Sequence, residues 1–379
     1  MSTSASAPVE PVVRVSTLEL FFDLVFVFTI TQLTAVLADD MSWRGLGRVV
    51  LMLGVAAWMY GGYAWLTNAV APTSRFRRTL MLVGMGGFLA IALSIPDAFG
   101  ANGWLFGLGY FVVNAVHSGL FISAGGPGAA RAMARLAPPN LTSATLVLVG
   151  GFLPGAWRYA LWAAALFVMI VSPYLTGVGE FTISASHFVE RHGLLIIIAL
   201  GESIIAIGVG AAGLELDVAI VLIAVLGLTL SYLMWWVYFG GDQDEAEHAL
   251  ATVDPTRRAR VALAAFGWAH YFLLLGIVVV AAGIKKAVGH AFDHLTVGQA
   301  VALAGGLAVY LLGDVAFRRV LGIGRLRYRA GAAVLALATV PVGLAYAGLQ
   351  MALLIGLLVV MLTVEDRAQR RSAEQHAGQ

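Results

Sequence analysis

Two carboxylates lie one helical turn apart in an apolar stretch near the start of the chain. The stretch is RVSTLELFFDLVFVFTITQL, residues 14–33, and the acids are Glu19 and Asp23. On a helix the two side chains share one face. A carboxylate at the centre of a membrane costs about 2.5–3.5 kcal/mol on insertion scales, so it usually faces a bundle interior and marks an ion or proton pathway. The pattern favours a pathway role for Asp23, the deeper acid, and a salt bridge from Glu19 to Arg14 or to a loop arginine.

A third acid lies in the middle of a later apolar stretch. Glu202 occurs in IIALGESIIAI between Gly201 and Ser203, whose small side chains let a helix or an ion approach closely. Its depth favours a pathway role over structural polar packing. His270, in FGWAHYFLLLG, is similarly deep. The sequence leaves open whether it relays protons or packs with a hydrogen bond.

Weaker candidates lie on two further apolar stretches. Asn114 and His117 share a helix face, at i and i+3. They are predicted first as polar contacts between helices and second as part of the pathway. Asp314 stands four residues before Arg318. An intrahelical ion pair explains Asp314 well, and a functional role is the less favoured alternative.

The most polar internal stretch is GEFTISASHFVERHG, residues 179–193. Its histidines do not have the spacing of a zinc hydrolase, because on a helix His192 turns away from His187. The stretch is instead predicted as an amphipathic cytoplasmic linker. It would set Glu190 and Arg191 against loop charges or against Asp23, as gating or ion-pair partners. No metal site and no catalytic residue are predicted.

The composition excludes most other classes of protein. Of 379 residues, 60% are hydrophobic and 12% are charged, and the mean hydropathy is +0.87, which indicates a polytopic membrane protein. Cysteine is absent, so disulfides, thiolate catalysis and Cys-ligated metals are excluded. The net charge is only +2, no phosphate-binding or dinucleotide fingerprint occurs, and neither nucleic acid nor a cofactor is predicted. The first ten residues carry no Lys or Arg, so we expect no cleaved signal peptide.

The apolar stretches predict an all-α polytopic membrane protein with about 12 transmembrane helices, since each span needs about 20 mostly apolar residues. The predicted spans are 18–37, 46–68, 79–96, 103–123, 139–154, 158–175, 193–211, 218–239, 260–283, 297–316, 328–345 and 347–364. The fifth span follows APPN. Two prolines disfavour a continuing helix, so this span is expected to be short.

Arginines between the apolar stretches predict the orientation. With the N-terminus inside, 18 of the 23 Lys and Arg residues fall on the cytoplasmic face and 5 fall outside. Cytoplasmic loops accumulate positive charge in this way. The split places both termini in the cytoplasm and favours an even number of spans.

Recurring elements indicate an internal repeat. Trp58 and Trp236 are 178 residues apart, and Arg77 and Arg257 are 180 apart. A near-constant offset predicts two six-helix halves of the same orientation, as parallel repeats. The predicted segments are a disordered tail at 1–17, a first half at 18–175, a linker at 176–192, a second half at 193–364 and a disordered tail at 365–379. The alternative is that aromatic residues followed by arginine simply mark cytoplasmic helix ends.

Two stretches resemble those of a known family. LELFFDLVFVFTITQL at 18–33 and HFVERHGLLIIIALGESIIAIG at 187–208 resemble, in the expected order, the bacterial low temperature requirement A (LtrA) family. The resemblance implies a polytopic inner-membrane protein and says little about chemistry. A weaker similarity is to lysosomal and bacterial potassium channels whose first helix carries Arg, then Phe-Ser-Asp, then an apolar run. Here Phe22 replaces the serine before Asp23.

The buried acids favour a transporter or channel over an enzyme. Asp23 and Glu202 would bind or relay a small cation or proton, and Glu19 and His270 would assist. The alternatives are a membrane-embedded enzyme acting on a lipid-type substrate at 179–193, and a non-catalytic sensor or scaffold of membrane state. The expected partners are the lipid bilayer and the cation or proton, and a homo-oligomer is left open.

Overall fold

The computed structural model describes residues 15–70, 74–178 and 181–377. In these ranges the chain is a bundle of α-helices, joined by short turns, and contains no β-strand. The helices are α1 Thr17–Asp39, α2 Trp43–Ala69, α3 Arg75–Ser94, α4 Gly103–Ala124, α5 Gly126–Phe152, α6 Ala156–Thr176, α7 Ala185–Ala211, α8 Val218–Phe239, α9 Asp242–Thr252, α10 Pro255–Ala262, α11 His270–Ala287, α12 Val297–Leu321, α13 Leu326–Leu337, α14 Val340–Gly343 and α15 Ala347–Ala377. A 3-10 turn at Ile95–Asp97 follows α3, and a π-helix at Leu263–Ala269 joins α10 to α11.

The helices have the length and composition of a multi-pass membrane protein. Within the described ranges, 10 helical stretches are long and apolar enough to cross a membrane. The all-α polytopic prediction is therefore confirmed. The fifth predicted span lies in α5 and the eleventh in α13 and α14, and neither is among the 10. The number of spans therefore stays a prediction.

Helix α5 corrects the expectation about its prolines. It runs without a break from Gly126 to Phe152, with Pro138 and Pro139 inside it. Each internal proline costs about 3 kcal/mol or more because it lacks an N–H and crowds the preceding turn. Close packing on α4 offsets this cost: a Cβ added to Gly107 would lie 2.5 Å from Leu148 Cα. The two backbones therefore touch, and tertiary contact overrides the local preference.

Helix α6 begins with a buried arginine that holds its neighbours in place. Arg158 is 5% exposed, and its guanidinium donates hydrogen bonds to carbonyl oxygens near the ends of α3 and α5. The acceptors are the carbonyls of Ala98, Gly100, Gly150, Gly151 and Leu153, at 2.7–3.2 Å. Helix C-termini leave such carbonyls without internal partners. Arg158 is therefore a structural residue at the end of the bundle opposite the N-terminus of α1.

The helices pack in the same order in the two predicted halves. In the first, α1 packs on α3, α3 on α4, α4 on α5, and α2 on α6. In the second, α7 packs on α11, α11 on α12, α12 on α13, and α8 on α15. Helices α1 and α7 lie against each other and run in the same direction, because Asp23 meets Arg191 and Thr31, further along, meets Glu202. This order supports the parallel repeat, which stays a prediction.

Candidate functional site

The cap of α1 fixes the position of Glu19. The backbone N–H and the hydroxyl of Ser16 donate to Glu19 Oε2 at 2.7 and 2.8 Å, and the Glu19 N–H donates back to Ser16 Oγ at 3.4 Å. This is a capping box, in which two helix-end donors are satisfied reciprocally. It occupies one carboxylate oxygen of Glu19 and leaves Oε1 for partners on α7.

Arg191 on α7 lies between the two acids of α1, Glu19 and Asp23. Its Nη2 is 2.9 Å from Asp23 Oδ1 and its Nη1 is 3.5 Å from Glu19 Oε1. The side chains of Arg191 and Asp23 are 0% exposed. The predicted pairing of Arg191 with Asp23 is confirmed, and the salt bridge of Glu19 runs to a helix rather than to a loop. Arg14, the other predicted partner, lies outside the described residues.

Aromatic rings on α1 and α2 enclose this ion pair. The Tyr60 hydroxyl donates to Asp23 Oδ1 at 2.9 Å. The Arg191 guanidinium lies 5.7 Å from the Tyr60 ring centroid and 5.8 Å from that of Phe22, within range of a cation–π contact. Sequence reasoning missed Tyr60, because its position near a helix end is also that of an ordinary interfacial tyrosine.

His187 completes the group and is neutral in this arrangement. Asn68 Oδ1 accepts from the Ser184 N–H at 3.2 Å, so its Nδ2 is the atom that faces His187 Nδ1 at 3.3 Å. Because Asn68 Nδ2 can only donate, His187 Nδ1 accepts and its proton is on Nε2. Nε2 lies 3.1 Å from Glu19 Oε1. We call Glu19, Asp23, His187 and Arg191 the N-terminal charge cluster.

Glu190 and the start of α7 differ from the predicted linker. Helix α7 begins at Ala185, so both His187 and Glu190 stand on its first turns. Glu190 is half-buried and its Oε2 accepts from the Val15 backbone N–H at 3.2 Å. It therefore holds the segment that leads into α1, with a backbone group as partner instead of a loop charge.

Glu202 lies at a second level of the same helix pair. The Thr31 hydroxyl donates to Glu202 Oε2 at 2.5 Å, and Glu202 is only 2% exposed. Thr31 follows Asp23 by eight residues, which is about 12 Å along α1 at 1.5 Å per residue. Asp23 and Glu202 therefore both line the α1–α7 interface without meeting. The partner of Glu202 is a neutral hydroxyl, whereas Glu19 and Asp23 are paired with an arginine.

His270 belongs to a separate aromatic group. Its Nδ1 lies 2.9 Å from the Ala265 carbonyl, which can only accept, so Nδ1 carries the proton and Nε2 accepts from the Tyr238 hydroxyl at 2.8 Å. The ring centroid of His192 is 5.3 Å from that of His270. His192 in turn donates from Nδ1 to the Phe188 carbonyl at 2.8 Å. Both nitrogens of His270 thus have protein partners.

Asn114 and His117 make contacts of the packing kind on α4. Asn114 Nδ2 donates to the Tyr110 carbonyl of its own helix at 3.0 Å. His117 donates from Nε2 to the Gly62 carbonyl of α2 at 3.0 Å. Neither bond reaches the acids of α1, and the predicted pathway role of these two residues stays a prediction.

Asp314 lies in a second buried charge cluster, far from Asp23 in sequence. Arg318 Nε is 3.3 Å from Asp314 Oδ2, which confirms the predicted intrahelical pair. Arg329 of α13 bridges the acids, with Nη1 2.5 Å from Asp314 Oδ2 and Nε 3.1 Å from Glu365 Oε2. Arg318 Nη1 is 3.5 Å from Glu365 Oε1. We call these four residues the C-terminal charge cluster.

The histidines and acids of the described residues are not grouped as metal ligands. Across the described ranges, no group of three or more His, Asp and Glu side chains is placed to hold a metal ion. His187 and His192 have different partners, Glu19 and the Phe188 carbonyl.

Comparisons with known proteins agree with the two signature stretches, which lie in α1 and α7 and carry the N-terminal charge cluster. The family model for the bacterial low temperature requirement A protein (LtrA) matches residues 14–364. A relative from Rhizobium meliloti (strain 1021), named "Uncharacterized protein RA0937", is 31% identical over an alignment of 320 positions, and the match covers 80% of this chain and 76% of that protein. The chain therefore belongs to the bacterial low temperature requirement A family of multi-pass membrane proteins.

Proposed function

We propose that this protein is a transporter or channel in which the N-terminal charge cluster takes up and releases one proton or small cation. The observation that carries the proposal is a missing positive charge. Glu19 and Asp23 supply two negative charges, Arg191 supplies one positive charge, and His187 is neutral in its hydrogen-bonded arrangement. The cluster therefore has a net charge of −1 while it is buried.

A buried excess charge is costly, and one proton removes it. The penalty for an uncompensated ion in a protein interior is several kcal/mol. Asp23 Oδ2 is buried and has no hydrogen-bond partner within the described part of the chain. A proton on this oxygen neutralises the cluster and leaves Arg191 paired with Glu19. Loss of that proton restores the excess charge and favours solvent or a cation beside α1 and α7.

Glu202 offers a second acid on the same route. It lies about 12 Å further along the α1–α7 interface at 1.5 Å per residue, and within the described ranges its carboxylate accepts a hydrogen bond from the Thr31 hydroxyl. For a carboxyl group with a single neutral donor in an apolar interior, the protonated form has the lower free energy, because burying the ionised form is costly. In the proposal Glu202 accepts the proton or cation that passes the N-terminal charge cluster. His270 has two protein partners and takes no step in it.

The proposal includes the placement of the protein. It lies in the inner membrane with both termini in the cytoplasm, so the N-terminal charge cluster is next to the cytoplasmic face. The transported species is a proton or a small cation, and the protein is a transporter or channel, with no catalytic residue. Since α1 and α7 open the two predicted halves, relative movement of the halves changes this interface directly.

Flux measurements on reconstituted protein test the proposal. Vesicles with a trapped pH indicator, under an imposed potassium diffusion potential, should show protein-dependent proton entry, and parallel vesicles with trapped sodium or potassium indicators should report cation entry. Asp23→Asn and Glu202→Gln should each abolish the flux while the protein stays folded, because each removes an ionisable group and keeps its shape.

Thr29→Val on α1 is the matched control. Thr29 is 0% exposed, and its hydroxyl has no hydrogen-bond partner in the described ranges, so the isosteric change should leave flux unaltered. Wild-type flux in Asp23→Asn would remove the N-terminal charge cluster from the mechanism. Wild-type protein without flux of protons, sodium or potassium would contradict the proposal as a whole and would favour the sensor or scaffold alternative.

A further inference from the structure

A cavity of about 360 Å³ lies away from both charge clusters. It is bounded by α2, α4, α5 and α6, by the π-helix and the start of α11, and by His192 of α7, and none of the acids of α1 or α7 borders it. Its volume is within the range of small-molecule pockets, roughly 300–1,000 Å³. The proton pathway proposed above therefore does not account for it.

The cavity is long and narrow. Its lining on α2 extends from Val50 to Trp65, which is about 22 Å along the helix at 1.5 Å per residue. The cavity has space on this face of α2 because the residues there are small, namely Gly54, Ala57 and Gly61. A Cβ added to Gly61 would have no atom within 4 Å. The space is thus shaped like a slot parallel to the helices.

Two exposed residues mark the mouth of the slot, and both lie within apolar stretches long enough to cross a membrane. Ile170 of α6 and Phe272 of α11 both border the cavity and are 41% and 46% exposed. In a chain that crosses a membrane, surface at this depth is in contact with hydrocarbon. The slot is therefore open to the acyl chains of the bilayer.

The wall opposite α2 contains the π-helix. The indole rings of Trp58 and Trp268 stack with centroids 5.5 Å apart, and Leu263, Phe266 and Gly267 of the π-helix also line the slot. Single π-turns within α-helices recur at functional sites. This departure from regular helix is a second, independent sign of a binding site at the same place.

Three polar side chains of the lining each make a hydrogen bond within the protein. His117 donates to the Gly62 carbonyl, His192 donates to the Phe188 carbonyl, and Asn140 Oδ1 accepts from the Trp58 indole N–H at 3.4 Å. One polar atom of each is thereby paired, and the buried His117 Nδ1 has no hydrogen-bond partner within the described ranges. The remaining wall is aliphatic and aromatic, and cavities of this kind exclude water. The lining suits a hydrocarbon occupant and not a hydrated ion.

We propose that this slot binds one hydrocarbon chain of a membrane lipid, which enters between α6 and α11 and lies along α2. Atoms that line a void lack dispersion contacts on one side, so an apolar occupant stabilises the walls. The acyl chains of the bilayer are present at the mouth and have a matching elongated shape. The proposal is independent of proton or cation flux.

Photolabelling tests it directly. Full-length protein is reconstituted in vesicles that contain phosphatidylethanolamine with a diazirine near the end of one acyl chain, irradiated, digested and mapped by mass spectrometry. In the wild-type protein we expect labels on the π-helix and on α2 around Gly61, besides those on outward residues of α8 such as Leu222 and Val225. Lining residues that stay unlabelled while α8 is labelled would overturn the proposal.

Gly61→Leu should block the slot without a clash, because the new side chain enters open space. Labelling of the π-helix should fall by about fivefold or more, since the added side chain takes the volume of the lipid chain, while labelling of α8 should be unchanged. Ala57→Leu, on the same face, should do the same. The matched control is Gly86→Leu on α3, where a Cβ also meets no atom within 4 Å and which does not border this cavity. Equal π-helix labelling in Gly61→Leu and Gly86→Leu would contradict the proposal.

Discussion

The two buried charge clusters lie at the same level of the bundle and differ in their charge. The C-terminal charge cluster has two carboxylates and two guanidiniums and is neutral. The N-terminal charge cluster has two carboxylates for one guanidinium. Ring contacts connect the two clusters. The ring centroid of His192, next to Arg191, lies 5.3 Å from that of His270, which lies 5.2 Å from that of Phe317, next to Arg318.

The clusters also differ in what they join. The C-terminal charge cluster connects α12, α13 and α15, all within the second predicted half, and Arg329 also donates to the Val237 carbonyl of α8 at 2.7 Å. The N-terminal charge cluster connects α1 to α7, across the two predicted halves, and Tyr60 of α2 donates to it. An ion network whose charges balance, and which lies inside one half, holds the helices of that half together. A network with an excess negative charge, placed between the two halves, can bind a proton and thereby change the contact between them. Charge balance therefore distinguishes a structural ion network from a candidate switch.

The largest expected effect comes from removing the single guanidinium of the N-terminal charge cluster. Arg191→Met leaves two buried carboxylates without a fixed cation and should lower the free energy of unfolding by about 3–5 kcal/mol. Arg318→Met is the counterpart in the other cluster, where Arg329 still contacts both acids. It should cost clearly less. Thermal unfolding of the purified variants in detergent measures both, and equal losses would break the distinction drawn between the clusters.

Neutralising one carboxylate in each cluster should have opposite consequences. Asp314→Asn leaves two guanidiniums for one carboxylate and should destabilise the protein by about 2–3 kcal/mol, because a buried charge then lacks its partner. Asp23→Asn removes the excess charge, keeps an acceptor for Tyr60, and should change the free energy of unfolding by less than about 1 kcal/mol. Chemical unfolding in mixed micelles compares the pair. A larger loss in Asp23→Asn than in Asp314→Asn would show that the missing charge is supplied in another way.

The smallest expected difference between two variants concerns single hydrogen bonds, and it sharpens the account of how the N-terminal charge cluster tolerates its excess charge. Tyr60→Phe removes a donor to a carboxylate and should cost about 1.5–3 kcal/mol, the range for hydrogen bonds to charged groups. Tyr63→Phe is the matched control. Its hydroxyl donates to the neutral Val113 carbonyl at 3.2 Å, so the loss should be about 1 kcal/mol. The difference between the two variants, from thermal unfolding, should vanish when each is made in an Asp23→Asn background.

Some of the site followed from local pattern. The acids of α1 and Glu202 stood out because carboxylates are rare in apolar stretches, and the contact of Arg191 with Asp23 was one of two alternatives that the sequence offered. Asp314 and Arg318 were predictable as neighbours on one helix. Arg329 and Glu365 were not, since Arg329 stands in the first turn of α13 and Glu365 directly follows the predicted span 347–364, and charged residues are ordinary at the ends of spans.

The sequence by itself determined the class of protein, because hydropathy over about 20 residues decides whether a helix partitions into a membrane. It also determined where the acids stand along their helices. Only the tertiary structure decided which charges meet, since Asp23 and Arg191 are 168 residues apart, and only it decided that α5 continues through two prolines. Charge compensation and packing both depend on neighbours from distant parts of the chain. Whether a buried carboxylate is balanced or in excess is therefore a property of the assembled bundle.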